Sequence, residues 1–81
     1  MPWFVKLEKG IVDKNTFDQH VPAHKAYVRD LIEQGHQAKT GYWGCFGGGM
    51  MLFQANSMTE AEAIVAQDPL IKSGCVKYEL Y

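Results

Sequence analysis

One histidine and one aspartate in this 81-residue sequence are of the types and positions that could support proton transfer. His24 lies within the stretch VPAHKAYVRDLIEQG, and Asp68 follows much later, directly before a proline. An imidazole can take and return a proton near neutral pH, and an adjacent carboxylate can fix its tautomer. We therefore treat His24 and Asp68 as candidate catalytic residues.

The position of His24 is unusual for a histidine. In a helix, Val21, Val28, Leu31 and Ile32 fall on one apolar side, and His24 projects into the middle of that side. A buried imidazole needs partners for both nitrogens, because an unmet buried polar group costs about 1–3 kcal/mol. His24 is therefore either a structural histidine bonded to a backbone carbonyl or water, or a functional one.

Asp68 is also unexpected where it stands. It falls on the apolar side of a second helix, and Pro69 disfavours helical geometry at the residue before it. A carboxylate at a helix C-terminus faces the negative end of the helix dipole. An Asx-Pro turn is the structural alternative to a functional role for Asp68.

The elements that must position these two residues follow from alternation, helical spacing and turn residues. Because Pro22 fits best in a first turn, the regular part of the first helix is predicted over about Val21–Gln34, with Gly35 as a left-handed cap. A glycine-containing connection at 44–48 predicts a hairpin between strands two and three. The predicted strands are Trp3–Glu8, Gln37–Trp43, Gly49–Ala55 and Cys75–Tyr81, and the second helix follows Ser57 and ends at Asp68.

The order β-α-β-β-α-β predicts a ferredoxin-like α+β sandwich in a single domain over residues 1–81. In this fold the start of the first helix and the end of the second lie at the same end of the sheet. His24 and Asp68 are therefore expected to meet.

The apolar residues of the strands predict an association surface. We expect Phe4, Trp43, Met51 and Phe53 to lie on the sheet face that the helices leave uncovered, which is more apolar area than one face normally exposes. This predicts a homodimer, or a higher oligomer, that stacks the two sheets.

Composition excludes several classes of protein. A net charge of −1, with eight basic residues scattered among nine acidic ones, gives no positive surface for nucleic acid or an anionic membrane. The sequence has no long apolar run and no signal-peptide pattern, so we expect no membrane association and a cytoplasmic location. Cys45 and Cys75 are far apart and are expected to be free thiols.

Three spaced motifs resemble the YCII family of the dimeric α/β-barrel superfamily. They are Pro22-Ala23-His24-x-x-Tyr27, Gly41 near the end of strand two, and Ala66-x-Asp68-Pro69-Leu70 followed by Ile71-x-x-Gly74-x-Val76. The resemblance implies a dimeric barrel fold in which His24 and Asp68 form the active-site dyad. It also implies chemistry without a cofactor, since one relative removes chloride from a chlorinated hydroxyquinol and others isomerise lactones or oxidise aromatics.

The sequence departs from the family pattern at two positions. Family members often carry an arginine where this chain has Val21, and an aromatic residue where it has Leu70. An arginine that holds an anion is therefore missing, and His20 is the candidate substitute.

A metal site is not expected. His20 and His24 have the i, i+4 spacing of two ligands on one helix face, but Pro22 interrupts that turn and no nearby Glu or Cys completes a site. The run GCFGGG lacks the Lys-Ser/Thr of a phosphate-binding loop and is better explained as a turn.

Two functions fit these observations. The first is a small cofactor-independent enzyme that uses His24 and Asp68 for an elimination or isomerisation of a small cyclic or aromatic substrate, with Tyr27, Trp43 and His20 as substrate-binding residues. The second is a non-catalytic dimeric module that binds a small ligand or a protein partner. In an enzyme His24 should be reachable by ligands, whereas a structural His24 should be sealed and fully bonded.

Overall fold

The computed structural model describes residues 1–43 and 48–81. Its elements alternate in the predicted order, with one additional short helix before the last strand. They are β1 (Trp3–Gly10), α1 (Lys14–Glu33), β2 (Lys39–Tyr42), β3 (Gly48–Gln54), α2 (Met58–Ala66), α3 (Pro69–Lys72) and β4 (Val76–Leu80).

The four strands form one antiparallel sheet in the order β2-β3-β1-β4. This is the ferredoxin-like arrangement, so the predicted fold class is confirmed. β1 lies in the middle of the sheet, where Lys6 pairs with Met51 on one side and with Leu80 on the other. The predicted hairpin connection lies largely at 44–47, outside the described residues, although the β2–β3 pair that it joins is antiparallel.

Helix α1 begins earlier than the sequence predicted. The Asp13 side chain caps it by accepting hydrogen bonds from Thr16, and the helix then continues through Pro22. Pro22 removes only one helical hydrogen bond, while the buried Phe17 holds the preceding turns against the core. The predicted start at Val21 was therefore wrong. The predicted cap was correct, because Gly35 has φ +89° just after the helix.

The two faces of the sheet were assigned incorrectly for β1 and β3. Phe4, Met51 and Phe53 are buried in the core with Leu31 of α1 and Val65 of α2, on the face that the helices cover. The alternation of a strand identifies which residues share a face but not which face is covered. The register places other apolar side chains on the uncovered face: Trp3, Val5 and Leu7 of β1 and Met50 and Leu52 of β3.

The chain between α2 and β4 contains a feature that the sequence reading missed. Ser57 caps α2 as expected, and the helix ends before Asp68. Asp68 then caps the new helix α3, with Pro69 in its first turn. An aspartate at the N-cap followed by proline is a common helix start, and this signal was available in the sequence.

Two further observations concern predicted properties. Of the helices within the described ranges, none combines the length and the apolar character needed to cross a lipid bilayer. Cys75 is a buried free thiol that accepts a hydrogen bond from the Ser73 hydroxyl, whereas Cys45 lies outside the described residues.

Candidate active site

His24 and Asp68 meet in the buried layer between the helices and the sheet. His24 comes from the middle of α1, where Phe17, His24 and Leu31 are the buried residues, spaced seven apart. Asp68 comes from the junction of α2 and α3. The distance from His24 Nδ1 to Asp68 Oδ1 is 2.8 Å, and both side chains are almost wholly buried.

The two carboxylate oxygens of Asp68 have different partners. Oδ1 accepts from His24 Nδ1 and from the Leu70 backbone N–H at 3.0 Å, while Oδ2 accepts from Lys6 Nζ at 2.6 Å. Because an ionised carboxylate can only accept, Nδ1 of His24 carries the proton, and the lone pair of the neutral ring lies on Nε2. Asp68 therefore selects the tautomer in which Nε2 is the base.

Three opposing influences determine the ionisation of Asp68. Burial is the largest, and it favours the neutral acid. The hydrogen bond from His24 and the charge and hydrogen bond of Lys6 together outweigh burial and hold the pKa of Asp68 below its ordinary value. Asp68 is thus a carboxylate at neutral pH and can stabilise an imidazolium at His24.

Lys6 and Glu8 of β1 are functional candidates that the sequence reading missed. Lys6 has no exposed surface, and its Nζ lies 3.6 Å from Glu8 Oε1 in addition to its contact with Asp68. Glu8 is 8 % exposed. Both residues share a strand face with Phe4, and that shared face was the available signal, because an apolar residue at one end of a face can place the whole face against a core.

His24 meets neither of the two expectations completely. The residue is only 2 % exposed, as expected of a structural histidine. Its Nε2, however, makes no hydrogen bond to any residue in the described ranges. The ring is nearly sealed but is not fully bonded.

Tyr27 lies one turn after His24 and connects the two long helices. Its hydroxyl donates to the Ile64 carbonyl of α2 at 2.6 Å, and its ring centroid is 6.1 Å from that of His24. Burial, followed by the negative charges of Asp68 and Glu8, raises the pKa of Tyr27, so the hydroxyl stays protonated. A groove of about 350 Å³ runs beside Tyr27 between the helices, but neither His24 nor Asp68 lines it.

The structure does not bring Trp43 to the dyad. Trp43 follows β2 and pairs with Gly48, and its ring occupies the space where a Gly48 side chain would be, on the uncovered face of the sheet. This is the face on which the dimer prediction placed Trp43. His20 lies one helical turn before His24 and is partly buried.

A second row of residues crosses the sheet next to Lys6. The register places Tyr42, Gly49, Glu8 and Tyr78 side by side on the helix-covered face, one from each strand. Burial, followed by the charges of Glu8 and Asp68, raises the pKa of Tyr42. Within residues 1–43 and 48–81, no three His, Cys, Asp or Glu side chains are grouped so that they could hold a metal ion.

Comparison with known proteins places this chain in a family. A solved structure with a similar fold is that of 5-chloro-2-hydroxyhydroquinone dehydrochlorinase from Burkholderia phenoliruptrix, in complex with 2,5-dihydroxybenzoquinone. The TM-score is 0.76 and the sequences are 20% identical over 99% of this chain and 91% of the other, so this likeness shows a shared fold. No match was found among curated proteins. The YCII-related domain matches residues 4–81, nearly the whole sequence, and the chain therefore belongs to the YCII family.

Proposed function

We propose that this protein is a small enzyme in which His24 acts as general base and then as general acid, without a cofactor. The observation that carries the proposal is the 2.8 Å contact of His24 Nδ1 with Asp68, which leaves Nε2 without a partner in the described part of the chain. Asp68 holds the ring and balances the charge that His24 gains on taking a proton. Lys6 keeps Asp68 ionised for this task.

The proposed reaction is an elimination or isomerisation of a small cyclic or aromatic compound. Nε2 of His24 removes a proton from a carbon next to a carbonyl. The electron pair then expels a leaving group or shifts a double bond, and the imidazolium returns its proton. The dehydrochlorinase activity named for the structural neighbour supports this choice, because removal of HCl from a hydroxylated ring needs a base of this kind.

The near-complete burial of His24 favours a second candidate. A non-catalytic module could keep His24 and Asp68 as a structural pair and bind a small ligand or a protein partner elsewhere. An enzyme of this design must open by a small movement for the substrate to reach Nε2, since His24 is only 2 % exposed. The two candidates therefore differ in whether removal of Nε2 abolishes turnover or only changes stability.

A substrate screen with matched variants separates them. Chlorinated hydroquinones and small lactones are incubated with the protein, with released chloride and ring-opened or isomerised products as the readouts. For any compound that turns over, His24→Asn should lower kcat/KM at least about a hundredfold, in line with the contribution of a general base. The control Asp18→Asn changes a surface carboxylate on the same helix and should leave turnover unchanged. Retained turnover in His24→Asn would refute the catalytic role.

We also propose a homodimer that forms through the uncovered face of the sheet. Its apolar side chains are partly or largely exposed in the single chain, and those of β1 and β3 form one continuous patch (Trp3, Val5, Leu7, Met50 and Leu52). A patch of this kind on a small protein marks an association surface. A standard interface would cover about 800 Å² of each partner.

A further inference from the structure

The Glu8 side chain has a buried oxygen whose hydrogen-bonding capacity is unused. Oε2 is buried and finds no hydrogen-bond partner anywhere in the part of the chain that the structure describes. Oε1 lies 3.6 Å from Lys6 Nζ, which is too long for a hydrogen bond. Among the residues at 1–43 and 48–81, Glu8 therefore has an ion-pair neighbour but no hydrogen-bond donor.

Lys6 does not supply the missing donor in this structure, although its ammonium has three N–H groups. Its ammonium lies 2.6 Å from Asp68 Oδ2, which is a short, charge-assisted hydrogen bond. A buried acceptor without a partner costs about 1–3 kcal/mol, and more when it is charged. Folded proteins rarely keep such an atom unless water, an ion or a ligand satisfies it.

The charges of the cluster limit the ligand that fits. Lys6 contributes one positive charge, and Glu8 and Asp68 contribute two negative ones, so the cluster carries −1 with a neutral His24 and 0 with a protonated one. An anionic group at Glu8 would add repulsion in a poorly hydrated place. A neutral hydroxyl can donate to the carboxylate without this cost.

The residues beside Glu8 suit a flat ring. Tyr42 and Tyr78 lie in the same row of the sheet, and their exposed fractions are 58 % and 40 %. Gly49 separates Tyr42 from Glu8, and a side chain there would lie 3.3 Å from the Tyr42 ring and 2.6 Å from the Gly41 carbonyl oxygen. The Tyr42 ring thus lies beside the Gly49 backbone. A ligand that reaches Glu8 requires one of these exposed side chains to turn outward, because Oε2 is buried in this structure.

We propose that Glu8 is a ligand-binding residue whose Oε2 accepts a hydrogen bond from a hydroxyl of a neutral, hydroxylated ring compound. This inference rests on the proposed function for the placement of the reacting carbon near His24. It adds a specificity: the site prefers a phenolic hydroxyl over its methyl ether and over a ring that carries an anionic group.

The test is a binding measurement that needs no turnover. Hydroquinone, 1,4-dimethoxybenzene and benzoate are titrated into ¹⁵N-labelled protein without oxygen, and the backbone amide shifts of Glu8, Gly49 and Tyr42 are followed. Hydroquinone should bind at least about tenfold more tightly than the other two compounds. Glu8→Gln, which keeps the size of the side chain, should weaken hydroquinone binding about tenfold, and Glu8→Leu should bind hydroquinone and its methyl ether alike. Glu33→Gln is the control, because Glu33 is an exposed residue on α1.

Each other result is informative. Equal affinity for hydroquinone and dimethoxybenzene, unchanged affinity in Glu8→Gln, or no hydroquinone binding at all overturns the inference, and an ordered water would then be the partner of Oε2. Circular dichroism shows whether each variant is folded. If Glu8→Leu does not fold, the conclusion about hydroquinone binding rests on Glu8→Gln alone. If the binding pattern holds but no compound turns over in the parent, the binding role of Glu8 stands and the catalytic proposal fails. If turnover depends on His24 but hydroquinone affinity is unchanged in the Glu8 variants, the catalytic proposal stands and the binding role of Glu8 fails.

Discussion

Lys6 and Asp68 form a fully buried ion pair, with Nζ 2.6 Å from Oδ2 and no exposed surface on either side chain. Lys14 and Asp18 form a pair of the same types at the same distance on the surface of α1. The described part of the chain thus offers a buried and an exposed copy of the same contact. Their comparison measures what burial adds to an ion pair in this fold.

Lys6→Met should destabilise the protein far more than Lys14→Met. The first change leaves Asp68 as a buried charge that has lost its cation, which costs about 3–5 kcal/mol. The second removes an exposed pair that contributes less than about 1 kcal/mol. Urea unfolding of both variants measures the difference. Equal losses of stability would mean that the Lys6 contact contributes no more than a surface pair.

Asp68→Ala should cost more stability than His24→Ala. Asp68 holds three groups, because it pairs with Lys6 and His24 and also caps α3 through the Leu70 N–H. Its removal leaves the Lys6 ammonium buried and removes a cap, and the cap alone contributes about 1 kcal/mol. His24→Ala removes one of these contacts. Urea unfolding decides the order, and a larger loss in His24→Ala would show that packing of the imidazole is the stronger factor.

Acid should destabilise the protein through Asp68. The pKa of Asp68 is lower in the folded chain than its ordinary value of 3.8, so its stabilising contribution is complete well above pH 4. The contribution is lost as the pH falls from about 4 through the lower folded pKa. Unfolding free energies measured from pH 7 to pH 2 should therefore fall less steeply in Asp68→Asn than in the parent.

Asp13 provides the comparison for this pH experiment. Its pKa is also lowered, chiefly by the hydrogen bond from the Thr16 hydroxyl, but it lies on the surface at the start of α1. Asp13→Asn should keep most of the acid sensitivity of the parent. If Asp13→Asn flattens the pH dependence as strongly as Asp68→Asn, the buried cluster is not its main source.

The Tyr27 hydroxyl should matter for stability and not for ligand binding. Because it donates to the Ile64 carbonyl, Tyr27→Phe should cost about 1 kcal/mol of stability and leave hydroquinone affinity unchanged. Tyr27→Ala, which also removes the ring, should weaken binding if that ring borders the ligand. Loss of binding in Tyr27→Phe would contradict the structural assignment of the hydroxyl.

The uncovered sheet face should control association. Leu52→Lys places a charge in the apolar patch and should convert the dimer to a 9.1 kDa monomer in sedimentation equilibrium. Ile32→Lys is the matched control, since Ile32 is an apolar residue of α1 that is 53 % exposed, away from this face. A monomeric parent protein at micromolar concentration would exclude the proposed interface.

The sequence was sufficient for the fold and for the meeting of His24 with Asp68. Helical spacing located the imidazole on the buried side of α1. The order of the elements brought α1 next to the end of α2, although Asp68 meets the middle of α1 and not, as the sequence had predicted, its start. These are properties of local periodicity and chain topology, which sequence patterns record well. The early start of α1 was missed because the effect of Pro22 was weighed more heavily than the Asp13 cap.

Lys6 and Glu8 could not be assigned to the site from the alternation of β1, because alternation does not show which face of a strand is buried. The alternation of β1 separates Lys6 and Glu8 from Val5 and Leu7, but a polar face is ordinarily the solvent face. Here the polar residues lie under the helices because Asp68 and His24 are there to meet them. The sequence predicts this buried ionic cluster only if Lys6 and Glu8 are considered together with His24 and Asp68.

The contacts of Asp68 also constrain how the protein can be made. The cluster joins positions 6, 8, 24 and 68, so until Asp68 has left the ribosome the Lys6 ammonium has only Glu8, 3.6 Å away, as an anionic neighbour in the cluster and no hydrogen-bond acceptor there. The helix-covered face of β1 can therefore be buried with its ion pair formed only after the segment that contains Asp68 has been synthesised. The chain should consequently reach its native state late in synthesis and in a single step, once the turn that carries Asp68 between α2 and α3 has emerged.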